Sequence, residues 1–136
     1  MKIILKKLPT LVVLLLAATA VRADWYELDR TYKNETTYID LSRIRREGDK
    51  AYYWTLSNYT LARDIGGKMA LSEVNQSVVD CVKQVQSASY FVWYSGPNAS
   101  GDGVNFMLVQ EELRQYFPII PGSMADREAK IVCEAK

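Results

Sequence analysis

Histidine is absent from the 136-residue sequence. That removes the commonest general base, the Ser–His and Cys–His nucleophile pairs, and most zinc sites. Cysteine occurs only twice, at Cys81 and Cys133, with no Cys-x-x-Cys spacing to depress a thiol pKa. No Ser-x-x-Lys dyad is present, and Gly101-x-Gly103 falls far short of a phosphate-binding loop. Glu111 and Glu112 are adjacent, so on a strand they would point to opposite faces; they read as solvated charges. Residues 98–103 copy the start of a calcium loop, but its twelfth position is Val109 and no helix precedes it. A turn is the better reading there. These absences leave no catalytic, cofactor or metal constellation, and the chain reads as a non-enzyme.

No apolar run is long enough to cross a bilayer comfortably, and the amino-terminal block at residues 11–18 has the look of an export signal instead. Lys2, Lys6 and Lys7 precede it, and small residues follow at Ala18-Thr19-Ala20 and Val21-Arg22-Ala23. The expectation is a signal peptide over residues 1–23 and a mature domain over 24–136. Cleavage after Ala20 and an uncleaved anchor are the alternatives. No cysteine follows the block, so a lipobox anchor is not expected. Loss of Lys2, Lys6, Lys7 and Arg22 lowers the basic count from 17 to 13 against 16 acidic residues, a net charge of −3. That balance is not a nucleic-acid footprint. An exported chain meets oxidising conditions, and two cysteines allow one intramolecular pairing, so a Cys81–Cys133 disulfide is expected.

Residues 51–61 form the longest run rich in aromatic and β-branched side chains, and the other elements are arranged around it. Tyr52, Trp54 and Leu56 alternate with Tyr53, Thr55, Ser57 and Tyr59, the period-two pattern of a half-buried strand in the middle of a sheet. Before it, residues 25–28 and 36–39 read as a hairpin. Residues 40–44 read as a turn pinned by Leu41 and Ile44, and 45–49 as a polar turn. After it, Gly66-Gly67 breaks the chain ahead of a strand over 68–80, with Met69, Leu71, Val79 and Cys81 on one face. A strand over 83–95 has apolar residues on both sides at Tyr90-Phe91-Val92-Trp93-Tyr94, and residues 104–109 make a last one. Residues 111–115 read as a helical turn and 118–122 as extended. Ser123 and Asp126 cap a terminal helix whose apolar stripe is Ala125, Ala129, Val132 and Cys133. Six antiparallel strands with a C-terminal helix on one face make an α+β domain.

Several of these residues together resemble the surface-adhesin protein E family of exported bacterial proteins. They are Asp24-Trp25, Tyr38-Ile39-Asp40, Ser42-x-Ile44-Arg45-Arg46-x-Gly48, Trp54 and Tyr59. Further along they are Asp80-Cys81, Tyr94-Ser95-Gly96-Pro97, Pro121-Gly122-Ser123 and Val132-Cys133. The resemblance implies a six-stranded antiparallel sheet with a C-terminal helix, and adhesion to host matrix or plasma proteins such as vitronectin and laminin. A surface lipoprotein of that kind needs a lipidated cysteine, which this chain lacks, so periplasmic or secreted location stands beside surface display. A soluble periplasmic accessory protein, binding a small molecule or a cell-envelope partner, is the alternative function.

The candidate binding residues are the tyrosines Tyr53, Tyr59, Tyr90 and Tyr94 and the basic cluster Arg43, Arg45 and Arg46. For the arginines an ordinary solvated turn is the competing reading. One helix covers only one face of such a sheet, so aromatics on the other imply either a homodimer or tyrosine hydroxyls reaching water. Four Asn-x-Ser/Thr sequons, at Asn34, Asn58, Asn75 and Asn98, are incidental in a bacterial chain.

Overall fold

The computed structural model describes residues 23–28 and 34–135. The expected signal peptide, apart from Ala23, and most of the first hairpin turn lie outside the described residues. Strands β1 (Trp25–Glu27) and β2 (Glu35–Asp40) form the expected antiparallel hairpin. Asp40 caps a one-turn 3-10 helix, Leu41–Arg43, its Oδ1 accepting from the Ser42 amide at 2.9 Å. Leu41 does not pin this turn, since its side chain is exposed; Ile44 alone packs on the core. The segment read as a polar turn is partly a strand. β3 (Arg45–Glu47) pairs with the start of the next strand, and only Gly48 and Asp49 remain to turn the chain.

The alternating aromatic run becomes β4 (Lys50–Ile65), 16 residues long and central in the sheet. It is followed by β5 (Lys68–Asp80), β6 (Val85–Tyr94) and β7 (Gly103–Leu108). The six main strands run β1-β2-β4-β5-β6-β7, all antiparallel. A short β8 (Phe117–Pro118) pairs with the beginning of β6 beyond the reach of β7, so the described residues hold eight strands, the expected six in the main order and two short additions. Two- and three-residue strands carry no period of their own, which is why β3 and β8 escape a reading by alternation.

Cross-strand partners share a face, so the register divides the sheet into two sides. Ala51, Tyr53, Thr55, Ser57 and Tyr59 share one side with Ile39, Ser77, Val79, Phe91 and Trp93. The other side carries Tyr38, Tyr52, Trp54, Leu56, Val74, Val78, Tyr90 and Val92. Helix α1 (Met124–Glu134) lies on the first side, where Ala129 and Val132 close a core with Leu28, Ile39, Ala51, Tyr53 and Val79. We call that side the helix face and the other the far face. The expected Ser123 cap is present, its Oγ accepting from the Asp126 amide at 3.2 Å. At the opposite end the pairing of β4 and β5 slips between Asn58 and Arg63, and the hairpin tip bends over the helix face. Arg63 there lies 3.9 Å over the Tyr59 ring, and an added Cβ at Gly66 would sit 3.2 Å from the Asn105 amide. Gly66 and Gly67 both have positive φ, so this turn needs glycine for conformation as well as for space. Met69, placed by alternation with Val79, is carried out to the tip and is exposed, while Val79 is in the core.

A covalent bond and a buried polar contact help to hold the helix down. The disulfide joins Cys81, just past β5, to Cys133 in the last turn of α1, with Cα atoms 5.7 Å apart. In the middle of the helix Glu128, buried, accepts 2.9 Å from the Tyr53 hydroxyl and 2.7 Å from Gln86 Nε2. Gln86 also donates to the Tyr53 oxygen at 2.5 Å, closing a three-membered polar contact between helix, β4 and β6. Burial pushes the Glu128 carboxyl above its ordinary value of 4.5, and the two donors only partly oppose this.

Helix α1 has 11 residues, a length marginal on its own in water. Closing a loop of 52 residues contributes about 4 kcal/mol in chain-entropy terms. Replacing both cysteines by serine is therefore expected to lower the melting temperature by more than about 10 °C. Equal melting of oxidised and reduced protein would remove the disulfide's structural role.

Glu128 generates a pH prediction with a definite sign. An acid with a higher pKa folded than unfolded holds its proton more tightly in the folded chain, so its contribution to stability falls as pH rises past 4.5. Asp80 and Asp126, both lowered by backbone amide donors, act in the opposite sense and are common to wild type and variant. The melting temperature of Glu128→Gln relative to wild type should thus rise between about pH 4 and pH 7. A difference independent of pH would show that Glu128 does not titrate in this window.

Candidate binding surface

The structure separates the residues that the sequence groups. Tyr53 and Tyr59 cannot take part in a contact surface, because both lie on the helix face and are buried. Tyr53 is fully enclosed under Glu128. Tyr59 is 5% exposed, and its hydroxyl donates to Glu73 Oε2 at 2.5 Å. Burial and that bond push the Tyr59 phenol well above its usual pKa of 10. Trp93 Nε1 donates to the same Glu73 oxygen at 2.9 Å, and Asn75 donates to the other at 3.2 Å. Polar groups thus satisfy one another across the part of the helix face that α1 does not reach.

Arg43, Arg45 and Arg46 are not a cluster. Arg43 stands 3.5 Å from Asp40. Arg45 lies on the far face, 4.5 Å over the Tyr52 ring and paired with Glu47 at 2.5 Å. Arg46 points to the helix face and donates to the Cys133 carbonyl at 2.8 Å. Each arginine has a local structural partner, which supports the solvated-turn reading for the group.

Tyr90 and Tyr94 do lie on the far face, both partly exposed. Tyr90 meets Trp54 edge-on with ring centres 6.1 Å apart. One cross-strand row runs Tyr38, Leu56, Val74, Val92 and Phe106 from β2 to β7. The neighbouring row brings Gln76, Tyr90 and Leu108 together. Sequence reasoning missed Trp25, Tyr38 and Phe106 as members of this surface. The signal was available in the alternation of each strand, but which alternate would be covered was not.

The rows end at an edge. β7 has the sequence Gly-Val-Asn-Phe-Met-Leu and, among the described residues, pairs on one side only, with β6. Phe106 is 69% exposed and Leu108 65%. Edge strands are ordinarily blunted by charge, proline or shortness. The opposite edge, β1, is three residues long, whereas β7 has none of the three protections. A shallow cavity of about 400 Å³ lies beside it, bounded by Tyr90, Val92, Val104 and Phe106. An uncharged strand edge with adjacent apolar space is chemically suited to adding another strand, its free amides and carbonyls giving affinity and the cavity taking a side chain. Among the described residues no cluster of histidine, cysteine or carboxylate side chains is arranged to hold a metal ion, and no helix is long and apolar enough to cross a membrane.

Comparison with known proteins agrees with this architecture. The family model described as Surface-adhesin protein E matches residues 25–134. A solved structure of Haemophilus influenzae protein E superposes with a TM-score of 0.60 at 16% identity, covering 85% of this chain and 87% of that one. Its selenomethionine form gives 0.59 at 17% identity, covering 85% and 89%. A further structure of protein E from non-typeable Haemophilus influenzae gives 0.56 at 18% identity, covering 85% and 78%. At these identities the superpositions speak for the fold. No curated protein sequence matches the chain.

Proposed function

The chain belongs to the surface-adhesin protein E family, a family of exported or cell-surface adhesins, and on that premise we propose that it is a non-enzymatic binding protein for host matrix or plasma proteins. The observation that carries the contact is the exposed, uncharged β7 edge, continuous with the aromatic far face. An extended segment of the partner adds to β7 as a further strand. Phe106 and Leu108 then cover its side chains on the far face, and Met107 does so on the other. Support also comes from what is left when the other candidates are placed: Tyr53 and Tyr59 are buried, and the arginines are engaged locally.

The test is surface plasmon resonance of the exported chain over immobilised laminin and vitronectin. Threonine at Phe106 and Leu108 keeps a β-branched residue on the strand while removing the large apolar contacts. The double variant should bind at least about tenfold more weakly, as for loss of a contact hot spot. Unchanged binding would place the contact away from β7. Light scattering over a concentration series distinguishes the competing occupant. A dimer abolished by the same two substitutions would show that a second copy takes the edge. Protease accessibility on intact cells tests location, since a chain protected inside the periplasm cannot meet a host protein.

A further inference from the structure

A second feature of the far face lies away from the β7 edge and does not depend on it. Residues 95–102 fold back across the sheet instead of extending from β6 into β7. Ser95 and Asp102 close the loop, the Ser95 amide donating to the Asp102 carbonyl and the Asp102 amide to Ser95 Oγ, both at 2.9 Å. Ser72, fully buried on β5, latches it by donating to the Gly96 carbonyl at 2.6 Å and accepting from the Ala99 amide at 3.0 Å. Asn58 on β4 makes a reciprocal pair with Asn98. Its Nδ2 donates to Asn98 Oδ1 at 2.7 Å, and its Oδ1 accepts from the Asn98 amide at 2.8 Å. Asn98 and Ala99 both have φ near +56°, a left-handed conformation that alanine rarely adopts. Such conformations persist where surrounding bonds over-determine them.

The latched loop sets Asn98 opposite Trp25 and Tyr38, with the almost buried Leu56 between them, and these four residues bound a cavity of about 250 Å³. Liquid water occupies about 30 Å³ per molecule, so the space suits several waters or one six-membered sugar ring. Its lining is mostly apolar, yet three of the four residues carry a polar tip. The Trp25 indole N–H, the Tyr38 hydroxyl and the Asn98 amide Nδ2 have no hydrogen-bond partner among the described residues.

We propose that this cavity between Trp25, Tyr38, Leu56 and Asn98 is a binding site for a neutral pyranose sugar. A pyranose has an apolar face of C–H groups, which packs on aromatic rings, and a rim of hydroxyls. Those hydroxyls meet the indole, phenol and amide groups. An aliphatic side chain would fill the same space but offer the three donors no hydrogen-bond partner. Among the described residues no charged side chain lines the cavity, so none is there to attract an acidic sugar. Both amide atoms of Asn58 are occupied with Asn98, so the Asn98 side chain is held still with its Nδ2 free to donate. Restraining a polar group before the ligand arrives lowers the entropy cost of binding.

The test is a nuclear magnetic resonance titration of the exported chain. The probes are methyl β-glucopyranoside, methyl β-galactopyranoside and methyl N-acetyl-β-glucosaminide, with N-acetyl-leucinamide as an apolar comparator. At least one glycoside should cause saturable shifts of the Trp25 indole and Asn98 amide signals, with a dissociation constant on the order of millimolar. Asn98→Gly keeps the left-handed backbone and removes the donor. Tyr38→Phe keeps the ring and removes the hydroxyl. Each should weaken binding about three- to tenfold, Tyr38→Phe with melting unchanged. If Asn98→Gly loosens the loop, the Tyr38→Phe result still decides. Absence of saturable shifts with all three glycosides overturns the proposal. So does tighter binding of N-acetyl-leucinamide, which would make the cavity a socket for an apolar side chain. Sugar affinity unchanged in both variants would place the site elsewhere.

Discussion

The bond between Cys81 and Cys133 decides which face of the sheet the helix covers, and through that which face is left to meet other molecules. Cys81 follows the buried end of β5, so a helix tied there by its last turn must lie over Ala51, Tyr53 and Val79. An 11-residue helix reaches no further than about 17 Å at 1.5 Å per residue. The sheet beside it is longer, since β4 alone has 16 residues at about 3.3 Å each. The helix therefore covers one end of its face. The other end is closed by the bent tip of the β4–β5 hairpin and by a web of polar groups around Glu73.

This arrangement explains why the helix face is polar in its middle. Thr37, Thr55, Ser57 and Ser77 are small and buried, and Thr37 and Ser57 share a hydrogen bond of 3.2 Å. Ser77 Oγ likewise donates to Asn75 Oδ1 at 3.0 Å, so these hydroxyls find partners inside the fold. The far face is the reverse. Its aromatics are partly exposed, and the tips of Trp25 and Tyr38 have no partner among the described residues. The contrast is between polar groups used to close the fold and polar groups left over.

Alternation along β4 made the strand legible and showed which residues travel together. It could not show which set would be covered, because that depends on where a helix 70 residues later is tied. Tyr53 and Tyr59 were therefore as plausible at the surface as Tyr52 and Trp54, and the structure places them inside. The cysteine pairing was legible from count and compartment alone. Glu128 was not, because a carboxylate beside an apolar stripe normally reads as solvent-facing. Only the approach of Tyr53 and Gln86 from two strands makes its burial tolerable. The separation of the arginines has a related reason. Arg45 and Arg46 are neighbours in sequence, but in a strand neighbours point to opposite faces. Recognising β3 required its partner β4, and a three-residue strand offers no period to announce it. The cavity beside Asn98 was equally illegible, assembled as it is from β1, β2, β4 and a loop.

The loop over residues 95–102 connects the two exposed features of the far face. It delivers the chain into β7, whose edge is unprotected, and its Asn98 reaches across β5 to Asn58 on β4. Latching by Ser72 therefore restrains both the entry to the edge strand and the wall of the cavity. An unprotected edge is a hazard for an exported protein, because any extended segment can add to it. The stapled loop and the β6 pairing hold β7 in place, with one register irregularity between Trp93 and Tyr94, so the hazard is confined to one defined edge. A partner carrying both an extended segment and a sugar would meet two fixed contacts on one face. The second contact would then form at the high effective concentration set by the first, and weak individual sites would suffice for firm attachment.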